Sequence, residues 1–207
     1  VGGLVPRWRD WYLRTAQTPW YATTRKIQQV LQYQRGGTRW VLKSPQHPEQ
    51  YRPLHAVYPD ATFIVTHRDP VSVTASFATM SAYSARLSRD PVDPPAIGAY
   101  WSDRVERQLH ACVRDRELLP AERSIDVRFH EFMSDDIAMV ERIYALAGQP
   151  FDDPAHVAME AFMRDHPRGK HGRVLYDLAD FGIDPVERRG ALAFYVDRFG
   201  VEPEGER

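Results

Sequence analysis

Thr62-Phe63-Ile64-Val65-Thr66-His67-Arg68-Asp69-Pro70-Val71-Ser72-Val73-Thr74-Ala75-Ser76 reads as a strand that runs straight into a helix. Residues 62–66 are all β-branched or aromatic, the composition of a pleated, half-buried strand. Asp69 and Pro70 then supply an N-cap and a first-turn proline, and a helix is predicted to run to about Tyr83. A helix amino terminus facing the end of a strand favours an anion, because its first N–H groups lack partners inside the helix. Arg68 adds a forked donor suited to phosphate. Ser72, Thr74 and Ser76 add hydroxyls, and Ser72 and Ser76, four apart, share a helical face. The competing reading of Arg68 is an ordinary ion pair at a helix start, with Asp69 or another carboxylate.

Outward from this segment, strand-like and helical stretches alternate. Residues 39–43 (Arg-Trp-Val-Leu-Lys) read as a short strand, preceded by a helix that opens at Thr18-Pro19 and stops at Gly36-Gly37. Helices are predicted near 48–58, 99–119, 135–147, 154–164 and 184–200, and a third strand at 125–129. Residues 1–12 read as a connecting or docking segment, and 86–95, with three prolines, as a loop. Strands separated by helices predict a parallel sheet covered on both faces, with ligands at the carboxyl ends of the strands. Those ends carry Lys43 and His47 after the first strand, His67 and Arg68 after the second, and His130 and Glu131 after the third; on the local pattern alone Lys43 and His47 read first as a solvated strand end. Residues 168–173 (Arg-Gly-Lys-His-Gly-Arg) form a basic, glycine-containing loop. It reads either as a solvated charge run or as a flap that closes on a polyanion.

The 207 residues suit one α/β domain, and a 43 % apolar share against 27 % charged residues is enough for a packed core. A net charge of −1 does not point to a nucleic-acid surface. Cys112 is the only cysteine, which excludes an internal disulfide and a cysteine-based zinc site, and it is expected as a small buried hydrophobe. No apolar run reaches membrane length, residues 1–10 do not read as a signal peptide, and a cytoplasmic location is the default expectation. Oligomeric state is not legible. A Walker A loop, a G-x-G-x-x-G turn, an H-E-x-x-H pair and a G-x-S-x-G elbow are all missing from the sequence. His67-Arg68-Asp69 suggests a kinase catalytic loop, but that loop requires an Asn, and the chain contains none.

In combination, these segments resemble the bacterial branch of the sulfotransferases that use 3′-phosphoadenosine 5′-phosphosulfate (PAPS). The resemblance runs from about Thr38 to Phe199. Residues 65–76 are similar to the family's 3′-phosphate segment, in which an arginine ends a strand and a serine follows eight residues later; Arg68 and Ser76 fit that spacing. Residues 40–47 are similar to the segment carrying the catalytic base, and 168–172 with Tyr176 and Phe181 to the loop that closes on the nucleotide. The resemblance implies a P-loop NTPase-like α/β fold and in-line transfer of a sulfuryl group to a hydroxyl or amine of a small-molecule acceptor, without a metal. It implies His47 as the base, with His67 next in line, and Lys43 near the transferring group. Arg68 and Ser76 would hold the 3′-phosphate, with Arg168, Lys170 and Gly172 closing over it. Phe129 is expected mainly as a core strand aromatic, and secondarily as an adenine platform.

The family's amino-terminal strand and 5′-phosphosulfate loop have no counterpart before Thr38. The expectation is therefore a single sulfotransferase-like domain over residues 1–207, incomplete at its amino terminus. A non-catalytic nucleotide-binding or interaction module is the alternative, and a small-molecule kinase relative a more distant one.

Overall fold

The computed structural model describes residues 5–88, 90–167, 169, 170, 172 and 177–204. It opens with two helices, Pro6–Arg14 (α1) and Thr18–Arg35 (α2). The segment expected to connect or dock is thus helical, and Arg9 ties it to Asp103 at 2.8 Å. Pro6 presets the first helical turn, and Trp8 stacks on Tyr12 one turn later with ring centroids 5.4 Å apart. A correction concerns residues 39–43, which carry a strand-like sequence but form no strand. A strand exists only where a neighbour completes its ladder. Here none does, and Val41 is left 92 % exposed.

A single 3-10 turn, His47–Glu49, leads into Tyr51–Val57 (α3) and then Phe63–His67 (β1). Pro70–Ala85 (α4) and Pro94–Asp115 (α5) form the crossover to Ser124–Arg128 (β2). Short helices Phe129–Ser134 (α6) and Asp136–Leu146 (α7) follow, then Asp153–Asp165 (α8), Pro185–Ala191 (α9) and Ala193–Phe199 (α10). Asp caps fix several of these starts: Asp93, Asp135, Asp152 and Asp184 each accept a backbone N–H of the first turn. The predicted loop at 86–95 is shorter than expected because Pro94 already begins α5. Phe129 belongs to a helix rather than to the strand. The predicted last helix is two, broken at the fully buried Leu192.

β1 and β2 pair in parallel, Phe63 beside Ser124 through His67 beside Arg128. These two strands make up the sheet among the described residues. The α/β expectation of a parallel sheet flanked by helices therefore holds, with two strands in place of three. One core cluster joins Val65 of β1 to Tyr51, Cys112, Leu119, Tyr195, Phe199 and Val201, so the last helix packs on the sheet. A second joins Ala78 and Ala82 of α4 to Ile97 of α5, Phe181 and Ile183. A third holds Tyr21 of α2 against Leu54 and Val57. No described helix is long and apolar enough to cross a membrane.

The second cluster depends on one close approach. A Cβ at Gly98 would lie 2.2 Å from the carbonyl oxygen of Phe181. Nothing flexible is available to give way, since the obstacle is backbone. Gly98→Ala is expected to destabilise the protein by about 1–3 kcal/mol, as overpacked sites do. A denaturation midpoint equal to the parent's would contradict this packing.

Candidate functional site

Two polar clusters form where the sequence directs attention, one at the end of β1 and one in the turn before α3.

At the end of β1 the chain alternates sides, so His67 turns in and Arg68 turns out. His67 is 1 % exposed. Its Nδ1 lies 2.8 Å from the Tyr195 hydroxyl and its Nε2 2.7 Å from Asp126 Oδ1. Its ring stacks on Phe199 at 4.1 Å. Asp126 also accepts two hydrogen bonds from Arg116, both 2.9 Å. Burial alone would raise the Asp126 pKa, but the His67 hydrogen bond and the Arg116 guanidinium outweigh it and hold the carboxyl well below its usual range. His67, the second candidate for the base, is therefore walled in by α10 and β2, out of reach of an acceptor.

Arg68 is half-exposed. It forks onto Glu204, with Nη2 donating to Oε2 at 2.8 Å, and its guanidinium lies over the Phe129 ring, 4.7 Å from the centroid. Both readings of Arg68 thus have an observation behind them: it stands at a helix start against Phe129, which lines a pocket, and it is engaged by a carboxylate. The pocket, about 350 Å³, is lined by Phe129, His130, Met133, Val201, Glu202 and Glu204, among others. Phe129 is consequently a cleft residue and not the core strand aromatic expected. Asp69 takes up part of the helix terminus itself, accepting the N–H of Val71 at 3.0 Å and of Glu204 at 2.9 Å. Ser72 donates to Asp69 at 3.4 Å. Ser76 sits two turns into α4, half-buried.

The tail that delivers Glu204 is itself fixed. Arg128 donates to the Phe199 carbonyl at 2.6 Å, at the end of α10, and Gly200 takes the left-handed conformation there, φ 61°. Val201 then buries, and Glu204 arrives opposite Arg68.

In the turn before α3, Lys43 is exposed and His47 half-buried. His47 Nδ1 lies 3.0 Å from the Tyr21 hydroxyl. Burial lowers the His47 pKa, because the imidazolium loses water. Two residues on, Glu49 is buried in a two-pronged ion pair with Arg104 of α5, with Nη1 to Oε2 at 2.6 Å. Burial, with the nearby Glu49 carboxylate, pushes the Tyr12 hydroxyl up to about 12.

Of the basic loop, Gly169, Lys170 and Gly172 are described. Lys170 donates to the Asp165 carbonyl at 2.7 Å, and Gly172 closes a turn on Gly169 at 2.9 Å; neither lines the pocket beside Arg68. Arg168, with Tyr176, lies outside the described residues. Among the described residues, no group of three His, Cys, Asp or Glu side chains stands ready to hold a metal ion. Sequence reasoning missed Tyr21 and Glu204. Tyr21 carried no motif signal, and Glu204 lies in a tail whose path depends on tertiary contacts.

A parallel strand that ends in an outward arginine beside an aromatic cleft places the chain among α/β proteins with ligand sites at the carboxyl edge of the sheet. The comparisons narrow the class. A model of the sulfotransferase family matches residues 9–153, and the chain belongs to that family. Among solved structures it is similar to the sulfotransferase STF9 from Mycobacterium avium, with a TM-score of 0.86, 27 % identity, and coverage of 97 % of this chain and 52 % of that one. It is also similar to the sulfotransferase STF1 from Mycobacterium tuberculosis H37Rv, with a TM-score of 0.79, 28 % identity, and coverage of 92 % of this chain and 49 % of that one. The chain thus spans about half the length of these two relatives. No curated protein matches it.

The network around Asp126 has a measurable consequence. A carboxylate whose pKa is depressed in the folded state stabilises above its unfolded pKa, and that stability is lost as pH falls through the folded value. Asp126→Asn leaves Arg116 without its charge partner and is expected to cost about 2–3 kcal/mol near neutral pH. The gap between parent and variant should narrow below about pH 4, because the Asp126 carboxyl of the unfolded chain then begins to take up a proton while the folded one stays charged. Urea unfolding across pH measures it; a gap independent of pH would contradict the assignment.

Proposed function

We propose that the chain carries the 3′-phosphate and acceptor-base parts of a PAPS-dependent sulfotransferase acting on a hydroxyl or amine of a small molecule. The observation that carries this reading is the packing of Arg68 on Phe129, a residue that lines the pocket, in a chain of the sulfotransferase family. A guanidinium offers two N–H donors to a phosphate, and an aromatic ring beside it offers a face to a purine. In this reading the ribose 3′-phosphate takes the place of the Glu204 carboxylate on Arg68, with Ser76 as a second donor. Arg168, Lys170 and Gly172 would close over the nucleotide. His47 takes the acceptor's proton as the acceptor oxygen or nitrogen bonds to sulfur, and adenosine 3′,5′-bisphosphate leaves. Lys43 offers positive charge where the transferring group gains negative charge. The partner groups for the 5′-phosphosulfate are assigned to no residue of this chain.

Two outcomes follow for the nucleotide. Arg68→Ala is expected to weaken binding of adenosine 3′,5′-bisphosphate by about 2–4 kcal/mol, the loss of a charged hydrogen-bond pair. Glu204→Gln removes the competing charge and is expected to tighten binding by about 1 kcal/mol, a modest gain because the pair is partly solvent-exposed. Calorimetry reads both. Unchanged affinity in Arg68→Ala would remove Arg68 from the site.

A third outcome concerns the base. In protein that turns over PAPS, His47→Ala is expected to abolish transfer while sparing nucleotide affinity. Since burial lowers the His47 pKa, its neutral form persists into more acid solution, and the acid limb of the rate profile should fall below 6.5, the ordinary imidazole value. Binding without turnover in protein of the full length of the relatives would instead favour a non-catalytic nucleotide-binding module.

A further inference from the structure

We propose that Tyr21 is a positioning residue for His47: its hydroxyl accepts the Nδ1 proton and so leaves Nε2 free to take a proton from the acceptor. The proposal rests on the reading of His47 as the base, and it adds the group that selects the tautomer of that base.

The geometry begins with a hydrogen bond of 3.0 Å between Tyr21 Oη and His47 Nδ1. An imidazole serves as a base through one nitrogen only, and the hydrogen bond at the other nitrogen decides which one. Tyr21 is well placed to make that choice because it cannot wander. Its ring is buried against Leu54 and Val57, with Tyr58 and Phe63 beside them. Two turns further on, α2 is tied down as well, since Tyr58 donates from its hydroxyl to Gln28 Oε1 at 3.0 Å. The phenol also stays neutral, because burial raises its pKa, and the nearby Tyr12 and Glu49 raise it further. A neutral phenol keeps lone pairs for an Nδ1–H and gives up no proton of its own near neutral pH.

His47 is held just as firmly from the other side. Glu49, one residue beyond Pro48, is locked by Arg104 of α5, and Gln108 of the same helix donates to the Pro45 carbonyl. The titratable and charged groups around the pair are therefore Tyr12, Tyr58, Glu49 and Arg104. As the acceptor's O–H or N–H bond breaks, the proton goes to Nε2. The imidazolium then donates from Nδ1 to Tyr21, a bond strengthened by the new charge. The sulfur forms its bond to the acceptor and breaks its bond to the nucleotide phosphate oxygen. If the phenol instead donated to Nδ1, the proton would sit on Nε2 and His47 would be blocked as a base.

Long-range ¹⁵N–¹H NMR of the chain decides between these. The parent is expected to hold neutral His47 with its proton on Nδ1. Tyr21→Phe keeps the ring and the packing and loses only the hydroxyl, so His47 should drift toward the Nε2–H tautomer. In protein that turns over PAPS, the same variant is expected to lower kcat about tenfold, the usual size of a lost orienting partner, with KM for PAPS unchanged. Its acid limb should move to lower pH, because the imidazolium has lost an acceptor. An Nε2–H parent, or a tautomer indifferent to Tyr21→Phe, overturns the proposal. The parent measurement stands even if the variant does not fold. Failure of the base reading is separate: it shows as turnover retained in His47→Ala, whatever the tautomer. An Nε2–H parent with inactive His47→Ala sinks the role of Tyr21 alone.

Discussion

A buried imidazole clamped between two strands and the last helix sets the positions of everything else at the sheet edge. His67 reaches Asp126 on β2, Tyr195 on α10 and the Phe199 ring, while Arg116 completes the charge on Asp126. Desolvating these groups is costly, and the network repays that cost only when all its members are present. It therefore specifies a register as well as a stability. β1 cannot slip by one residue without turning His67 to solvent and Arg68 into the core. The alternation that buries one presents the other.

The same clamp fixes the tail. α10 lies on the sheet because its Tyr195 and Phe199 are held there, and Arg128 on β2 meets the carbonyl at its end. From that point the chain leads Glu204 onto Arg68. The carboxylate occupies the fork that the proposed function gives to a phosphate. Under the proposed function, Glu204 would hold the Arg68 guanidinium until the phosphate displaces it. The second cluster uses a similar arrangement on a different pair: the Glu49–Arg104 bridge fixes the turn that carries His47, and Tyr21 meets its ring.

Much of this was legible in the sequence, and the exceptions have physical causes. The segment 62–76 gave its strand, cap and helix because each is encoded locally: β-branched residues, then Asp-Pro, then a helical run. Motif spacing singles out Arg68 and His47, and each lies in one of the two polar clusters. Residues 39–43 were misread because strand-forming composition does not supply a partner; with none alongside, Val41 and Leu42 stay exposed. Trp20, Ile27, Val30 and Tyr33 of α2 are exposed as well, on a helix whose buried face is Tyr21 and Gln28. Periodicity alone could not say which face packs. Phe129 was misplaced by a single residue at the end of β2, which moved it from core to cleft. Glu204 and Tyr21 had no local signature, because their roles come from contacts across 136 and 26 positions.

The central claim is that Arg68 grips the 3′-phosphate of an adenine nucleotide, and a thermodynamic cycle addresses it most directly. Calorimetric affinities of adenosine 3′,5′-bisphosphate and adenosine 5′-monophosphate are compared in the parent and in Arg68→Ala. The account requires coupling: loss of the 3′-phosphate should weaken binding to the parent by at least about 1 kcal/mol more than to the variant. Equal losses in both proteins would mean that the guanidinium and the 3′-phosphate do not meet.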